Sequence, residues 1–299
     1  MVLVTGGTGF IGKKLVSGLI TLGYDCTLLS RASVKGHKTL IFDLLEDYIS
    51  SDDLVGIQTI FHLAGHAHDL DSNNQYLYRA LNVDATVRLA DLAGSSGVKS
   101  FIFVSSVKAG GFNKNDSSNE DTQLKPEGIY GETKREAELR VLEIGKKYKM
   151  HVSIVRPSLV YGPGVKGNLR LMIKGVKNGW FPPLPEIGNK RSMIHVDDLV
   201  NALILVSNSK DTNREIYIAT DGKTYSTREI YETLCNINGK SVPNWSIPKY
   251  FLSFIGFINA RLRYKVKKIL GDEYYSSDKL ESIGFSAKKT FRDINESSF

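Results

Sequence analysis

The chain opens with a short apolar run that leads directly into three regularly spaced glycines. Residues 2–4 are all apolar, and Gly6, Gly9 and Gly12 follow in a G-x-x-G-x-x-G pattern. A continuously apolar strand is typical of a parallel sheet that is covered on both faces. Glycines at this spacing permit a tight turn and close packing of the next helix on the strand. The start of the chain therefore predicts a strand, a glycine turn and a helix.

The same alternation continues through the first half of the sequence. Apolar residues recur at helical spacing over residues 11–22, and Gly23 is expected to end that helix. Further apolar runs, with helical segments between several of them, occupy residues 26–29, 40–42, 59–63, 101–104 and 152–155. Strands that alternate with helices predict an α/β fold with a Rossmann doubly wound parallel sheet.

A less regular part follows residue 163. It contains a proline-rich stretch at residues 182–185, a short strand at residues 215–219 and a helix that opens with a capping box at residues 226–229. We expect residues 1–163 to form the Rossmann domain and residues 164–299 a smaller mixed α/β lobe, with some interleaving of strands and helices. A cleft between the two would hold a substrate.

The glycine turn also suits a nucleotide cofactor. Its backbone can approach a pyrophosphate at the N-terminus of the next helix, so residues 1–163 are expected to bind NAD or NADP. About 20 residues past such a turn, an Asp or Glu commonly binds the ribose 2′-hydroxyl of NAD. This chain has Ser30 and Arg31 there, and a guanidinium beside hydroxyl groups suits a 2′-phosphate. NADP(H) is therefore favoured, and an exposed Arg31 beside an NAD(H) site is the alternative.

The second motif is a tyrosine followed four residues later by a lysine, Tyr130 and Lys134. On a helix the two side chains share a face, so the ammonium can lie beside the phenol. A tyrosine ordinarily titrates near pH ~10, and bringing its pKa close to neutrality takes roughly 4 kcal/mol of preferential stabilisation of the anion. A lysine and an oxidised nicotinamide both act in that direction. Combined with the glycine turn, the pair predicts hydride chemistry.

Composition limits the class of protein. An apolar content of 41% and a charged content of 24% are those of an ordinary globular protein. The cysteines, Cys26 and Cys235, form neither a disulfide framework nor a metal-ligand cluster, which favours a reducing, cytoplasmic location. The longest apolar stretch, residues 250–258, is shorter than the about 20 residues of a transmembrane helix. It predicts a packed or interfacial helix, without membrane insertion.

The formal charge of +7 does not by itself indicate nucleic acid as a partner. Basic residues fall in scattered runs, such as residues 265–268 and 288–289. We interpret these runs as solvated surface, and the positive charge would also steer anionic nucleotides towards the protein.

Seven short motifs follow one another in a characteristic order. They are residues 5–12, residues 63–65, Asn82, residues 105–106, residues 130–134, residues 156–157 and residues 191–197. Together they resemble the extended short-chain dehydrogenase/reductase family, in its nucleotide-sugar epimerase/dehydratase branch, over essentially the whole chain. The resemblance implies an enzyme that binds NAD(P) in its Rossmann domain and a nucleotide sugar, commonly UDP-linked, in its C-terminal lobe. A non-catalytic NAD(P)-binding sensor is the remote alternative, because such proteins characteristically lose the tyrosine or the lysine.

The resemblance assigns a role to each matching residue. Tyr130 would be the acid/base, and Lys134 its pKa partner and a ligand of the nicotinamide ribose. Ser106, or Ser105 if the register differs by one, would hydrogen-bond the reacting sugar oxygen. Residues expected to contact the cofactor are Gly6, Gly9, Phe10, Ile11, Gly12, Ser30, Arg31, Asp43, Leu44, Leu63, Ala64, Gly65, Asn82, Tyr130, Lys134 and Pro157. Residues expected to contact the substrate are Ser106, His66, Asn168 and Arg191, whose planar fork suits a phosphate.

Departures from the family pattern narrow the chemistry. The family's 4,6-dehydratases follow the catalytic hydroxyl with an Asp-Glu pair, whereas Ser106 is followed by Val107 and Lys108. The decarboxylases also require a carboxylate there, and the epimerase-reductases require a cysteine nearby. Two reactions at C4 of a UDP-hexose or UDP-N-acetylhexosamine derivative are left. They are NADPH-dependent reduction of a 4-keto sugar, favoured because of Arg31, and 4-epimerisation with a retained NAD.

Other polar and aromatic residues are weighed against simpler interpretations. His62, His66 and His68 have a spacing that a metal site could use, but they fall in the family's cofactor loop, so no metal is expected and His66 or His68 would line the sugar pocket. His195 is expected to satisfy local polar groups. Trp180 and Trp245 are interpreted as packing residues, with stacking on uracil as the alternative. Family members often dimerise through the helix at residues 130–148 and the one near residues 82–93, which would give a homodimer here.

Overall fold

The computed structural model describes residues 1–67, 74–113, 116–122, 124–258, 263, 266 and 268–295. The strands within these residues are β1 (Val2–Thr5), β2 (Cys26–Ser30), β3 (Lys38–Ile41), β4 (Thr59–His62), β5 (Ser100–Val104), β6 (His151–Pro157), β7 (Leu159–Tyr161), β8 (Arg191–His195), β9 (Glu215–Ala219) and β10 (Thr224–Tyr225). The α-helices are α1 (Phe10–Thr21), α2 (Gln75–Arg79), α3 (Thr86–Ser95), α4 (Gly128–Tyr148), α5 (Gly167–Lys177), α6 (Val196–Asn208), α7 (Thr227–Ile237), α8 (Lys249–Ile258) and α9 (Asp278–Ser282).

Within the described residues, the main sheet has seven strands in the order β3-β2-β1-β4-β5-β6-β9, all of them parallel. The strand order reverses between β1 and β4, because the chain builds outward from β1 first to one side and then to the other. Ligands of doubly wound sheets bind at such a switch point, outside the carboxyl ends of the strands. The predicted Rossmann sheet is confirmed, and β3 begins earlier than the apolar run at residues 40–42 suggested.

Helices cover both faces of the main sheet, which explains why its strands are continuously apolar. Val2 and Val4 pack with Leu15 of α1 and Leu199 of α6 on one face. Leu3, between them, points to the other face and joins the cluster formed by α3 and α4. Successive side chains of a strand alternate between faces, so strands that are covered on both faces are apolar at most positions, and buried polar side chains such as Thr5 and His62 are hydrogen-bonded to each other. The inward face of α4 carries Ala137, Val141 and Ile144, which are buried in this second cluster.

A small sheet of β10, β8 and β7, together with α5 and α7, forms a second layer next to the carboxyl end of the main sheet. We expected the strand at residues 215–219 to belong to the smaller lobe, but β9 pairs with β6 in the main sheet. Tyr217 and Ala219 contribute to the core beside α6, and Ile216 packs on the opposite face. The strand is therefore covered on both faces, as parallel strands generally are.

None of the described helices has the length and apolar character needed to cross a bilayer.

Candidate active site

A cavity of about 660 Å³ opens at the carboxyl ends of β1, β4, β5 and β6 and extends to the small sheet. It lies at the switch point of the main sheet. The predicted site residues that line it are Gly6, Gly9, Phe10, Ile11, Gly12, Leu63, Gly65, Ser106, Tyr130, Lys134, Pro157, Asn168 and Arg191. Predicted site residues from Gly6 to Arg191 in the sequence thus line one cavity.

The glycine turn between β1 and α1 has no room for side chains. A Cβ atom on Gly12 would lie 2.1 Å from the carbonyl oxygen of Gly6, and one on Gly6, whose φ is +68°, would lie 2.8 Å from the amide of Ala64. Gly9 is the N-cap of α1 and, among the described residues, no side chain caps the helix there. The first-turn amides therefore face the cavity at the positive end of the helix, where a phosphate group binds favourably. This cradle fits the diphosphate of a dinucleotide.

Tyr130 and Lys134 project from α4 into the same cavity. Lys134 is almost fully buried, its ammonium donates to the carbonyl oxygen of Val104 at 2.7 Å, and it lies 4.0 Å from the centroid of the Phe103 ring. Burial lowers the pKa of Lys134 to about 7, and the carboxylate of Glu138 opposes this effect. The lysine is thus held rigidly one helical turn from the tyrosine, with its charge only partly compensated.

The residues after β5 present two serine hydroxyls. Ser106 is the N-cap of a short 3₁₀ turn, and its Oγ accepts a hydrogen bond from the amide of Lys108 at 3.3 Å. Ser105 is buried, and within the described residues its Oγ has no hydrogen-bond partner. Both residues line the cavity. The partly exposed Ser106 is the one of the two that a substrate can reach.

Lys108 is a residue of this site that sequence reasoning missed. It lines the cavity, and its ammonium lies 5.6 Å from the centroid of the Tyr130 ring. In the sequence, Lys108 stood out only because the family's dehydratases have a carboxylate at this point. Its position two residues after Ser106, on the turn that faces α4, was the available signal. The ammonium of Lys108 is therefore a second positive charge near the tyrosine.

Asn82, expected to contact the cofactor, is used within the protein and does not belong to the cavity lining described here. Its Oδ1 accepts from the amide of His66 at 2.7 Å, and its Nδ2 donates to the carbonyl oxygen of His66 at 3.0 Å and to Oγ1 of Thr133 at 3.2 Å. The side chain thereby fixes the loop after β4 to α4. His66 itself packs edge-on against Tyr78, with the ring centroids 4.6 Å apart. Within the described residues His66 is also outside the cavity lining.

His62 is separated from the other histidines by the fold. Its ring is fully buried, with Nδ1 2.8 Å from Oγ1 of Thr5 and Nε2 2.9 Å from Oγ1 of Thr86. Burial, reinforced by the positive charge of Lys134, lowers the pKa of His62 to about 3. Both ring nitrogens are therefore engaged by hydroxyl groups. His68 lies outside the described residues.

The residues expected at the adenosine end lie beyond the cavity, at the carboxyl ends of β2 and β3. Arg31 is exposed, and Ser30 accepts the amide of Phe42 at 2.9 Å. Asp43 accepts the amide of Leu45 at 2.9 Å, and the carbonyl oxygen of Leu44 accepts from Arg88 at 2.5 Å. Ala64 donates its amide to Oγ1 of Thr5 at 3.2 Å. The exposed guanidinium of Arg31 is thus placed beside the same edge of the sheet as the glycine turn.

The far end of the cavity is built by the small lobe. Arg191 lines it and is tied to the carboxylate of Glu273 at 2.8 Å and to the carbonyl oxygen of Lys268. Tyr275 is buried in the same wall, and burial raises the pKa of its phenol, so it presents a neutral hydroxyl. Asn168 is exposed near the start of α5. This end combines cationic and hydroxyl groups with a largely apolar wall.

The packing role expected for the tryptophans is wrong. Trp180 is 59% exposed and lines the cavity, and Trp245 is 63% exposed. Both lie in loops after helices of the small lobe, where the core is already filled by α5 and α7. His195, in contrast, is buried as expected, and its Nδ1 accepts the amide of Asp197 at 3.2 Å.

Beneath the site lies a buried ion pair that sequence reasoning also missed. Arg156 donates from Nε and Nη2 to the two carboxylate oxygens of Glu138, at 2.9 and 2.6 Å, and both side chains are at most 1% exposed. Glu138 lies one helical turn after Lys134, and Arg156 directly precedes Pro157 of the cavity lining. Lys134 and Glu138 are four residues apart and share a helix face, which could have placed Glu138 on the buried face. This spacing does not identify Arg156 as its partner. The pair fixes α4 to β6 directly behind the cavity.

Comparison with known proteins gives the same family from several directions. Residues 2–219 match the "NAD dependent epimerase/dehydratase family". A UDP-glucose 4-epimerase of Vibrio cholerae is 35% identical over 83% of this chain and 78% of its own length. An N-acetyl-α-D-glucosaminyl-diphospho-ditrans,octacis-undecaprenol 4-epimerase of Escherichia coli O157:H7 is 26% identical over 97% of this chain and 91% of its own. Among solved structures, MoeE5 in complex with UDP-glucuronic acid and NAD is 25% identical, with a TM-score of 0.80 over 98% of this chain and 95% of its own.

Proposed function

Because the chain belongs to the NAD-dependent epimerase/dehydratase family, and with it to the extended short-chain dehydrogenases/reductases, we propose that it is a 4-epimerase of a UDP-hexose or a UDP-N-acetylhexosamine. The observation that carries the proposal is the cavity that brings Tyr130, Lys134 and Ser106 together beside the glycine turn. Among the described residues that line it, Glu273 is the sole acidic side chain, and it is paired with Arg191. The second acid/base pair that a dehydration needs is therefore not at hand.

In this proposal the nicotinamide, when bound, supplies the acceptor and then the donor of the C4 hydride. Tyr130 takes the proton of the C4 hydroxyl as C4 becomes a carbonyl, and returns it when the alcohol forms again. Ser106 hydrogen-bonds the same oxygen and stabilises its developing negative charge. Lys134, one helical turn after Tyr130, and Lys108, near the Tyr130 ring, both contribute positive charge. The sugar must turn over within the cavity between the two hydride transfers, and the apolar wall of the small lobe would allow this rotation.

The diphosphate of the substrate would bind at the cationic end of the cavity. Arg191 offers a planar fork that can bond two phosphate oxygens, but both of its terminal nitrogens are engaged, by Glu273 and by the carbonyl oxygen of Lys268. Each of these nitrogens carries a second N–H group that can donate to a phosphate oxygen while the existing contact is kept. Trp180, exposed on the same cavity, offers a flat surface for the base.

A second candidate function is the NADPH-dependent reduction of a 4-keto nucleotide sugar. The residues at C4 are the same, and the direction of hydride transfer differs. The specific observation in its favour is the end of β2, where Ser30 and the exposed Arg31 occupy the place of an acidic residue. This arrangement suits a 2′-phosphate and a cofactor that exchanges with solution. The 4-epimerase relative and the NAD complex of MoeE5 favour the first candidate.

The cofactor that accompanies the purified protein distinguishes the two. An epimerase would release NAD on denaturation, identified by absorbance and mass, and would interconvert UDP-glucose with UDP-galactose, or their N-acetyl counterparts, without added cofactor. A reductase would purify without NAD and would oxidise added NADPH only with a 4-keto sugar. Arg31→Ala is the matched variant. It should weaken NADPH binding in the reductase and leave the epimerase unchanged.

A further inference from the structure

The chain's excess positive charge is confined to one segment. Residues 240–270 contain seven Lys and Arg residues and no Asp or Glu, and the remaining residues contain equal numbers of basic and acidic side chains. Its basic residues are Lys240, Lys249, Arg261, Arg263, Lys265, Lys267 and Lys268. The net charge of the chain therefore equals the charge of this segment.

The same segment exposes large aromatic side chains. On α8, Tyr250, Phe251 and Phe254 are 77%, 49% and 66% exposed, whereas Leu252 is 6% exposed and anchors the helix. Trp245, four residues before the helix, is 63% exposed. Each of these side chains would leave water favourably if an apolar medium were available. A helix with aromatic residues outward and cationic residues on either side of it has the composition of an interfacial helix.

The start of α8 is joined to the mouth of the cavity. The amide of Ile247 donates to the carbonyl oxygen of Pro183 at 3.0 Å, in the loop that carries Trp180 and Phe181. Further along the chain, Lys268 and Ile269 also line the cavity. Described residues before and after α8 therefore lie next to the cavity.

We propose that α8, together with the described basic residues Lys240, Lys249 and Arg263, binds the surface of a bilayer that contains anionic phospholipids, with Tyr250, Phe251 and Phe254 inserted between the headgroups. A second copy of the chain is a poorer occupant, because a symmetric contact would bring two such cationic segments together. An anionic bilayer satisfies both features at once, since headgroups attract Lys and Arg while the boundary with the acyl chains accepts aromatic rings. The cavity would then open beside the bilayer surface. This proposal goes beyond the proposed function and does not depend on it.

Co-sedimentation with vesicles tests the proposal. The protein should bind vesicles of phosphatidylglycerol with phosphatidylethanolamine, bind vesicles of phosphatidylcholine far less, and lose binding as sodium chloride is raised. The double variant Phe251→Ser/Phe254→Ser should partition roughly tenfold less onto the anionic vesicles. The matched control Leu22→Ser/Val55→Ser removes side chains that are 60% and 72% exposed elsewhere and should bind like the wild type. Lys249→Glu should weaken binding at low salt while every aromatic residue is retained.

Three results would overturn the proposal. One is the absence of binding to anionic vesicles, and another is equal binding by the aromatic double variant and the wild type. The third is a concentration-dependent dimer in solution that the double variant loses, which would assign the face to a second copy. None of these measurements uses catalytic activity, so they stand apart from any failure of the proposed reaction.

Discussion

His62 makes the stability of the enzyme depend on pH in a way that one substitution can isolate. The ring is fully buried between the hydroxyls of Thr5 and Thr86, and its pKa is lowered to about 3. In the unfolded chain the same ring titrates near its ordinary value of 6.5. At a pH between these two pKa values, the ring is protonated in the unfolded chain and neutral in the folded protein. The stability contributed by a neutral His62 is therefore fully present above pH 6.5 and is lost progressively as the pH falls towards 3.

The magnitude follows from the two pKa values. Between about pH 8 and about pH 5, protonation of the unfolded chain at this one site lowers the free energy of unfolding by about 2 kcal/mol. At the lower pH the figure depends almost wholly on the unfolded-state pKa, because the folded ring is still neutral there. Two kcal/mol is a large part of the roughly 5–15 kcal/mol that stabilises an ordinary domain.

His62→Gln removes the titration and keeps an amide that can bond both hydroxyls. Urea unfolding of both proteins, followed by circular dichroism, would give their free energies of unfolding at the two pH values. We expect the wild type to lose about 2 kcal/mol more than His62→Gln between them, whatever the absolute cost of the substitution. Buried His195 and the partly buried His151 titrate in both proteins and cancel in the difference. A difference between the two proteins that stays constant from one pH to the other would refute the reasoning.

Three further predictions concern the site and its support. Gly12→Ala should abolish cofactor binding in a fluorescence titration, because its Cβ would lie 2.1 Å from the Gly6 oxygen. The control Gly18→Ala, on the same helix, meets only movable side chains and should bind the cofactor normally. Normal binding by both variants would contradict the geometry of the turn. Glu138→Gln should lower the free energy of unfolding by about 3–5 kcal/mol by leaving buried Arg156 without its carboxylate, and Glu138→Leu/Arg156→Met should recover much of it, so an equally unstable double variant would count against the ion pair as the cause. Tyr130→Phe should abolish turnover while cofactor affinity, measured by the same titration, changes little; turnover at the wild-type rate would remove Tyr130 from the chemistry.

The Rossmann sheet could be predicted from sequence because its strands are buried on both faces and therefore read as unbroken apolar runs. The layer to which β9 belongs could not be predicted, because its sequence resembles any short buried strand and only its pairing with β6 decides where it lies. Tyr130, Lys134 and Ser106 belong to local sequence motifs, so their approach to one cavity followed from the expected fold. Lys108 and the Glu138–Arg156 pair were missed because each acts through a neighbour from a distant part of the chain. The exposure of Trp180 and Trp245 was equally hidden, since an aromatic residue in a loop gives no signal of which side it faces.

Asn82 ties the loop after β4 to α4 through three hydrogen bonds, and the Glu138–Arg156 pair ties α4 to β6. The loop after β4, the helix that carries Tyr130 and the strand β6 are in this way joined to one another. The small-lobe wall is held by separate contacts, those of Arg191 with Glu273 and with the backbone at Lys268. The residues expected to act on a substrate would therefore be held in place before it binds. Substitutions in the small-lobe wall could then change which sugar is accepted without altering the wall formed by the main sheet and its helices.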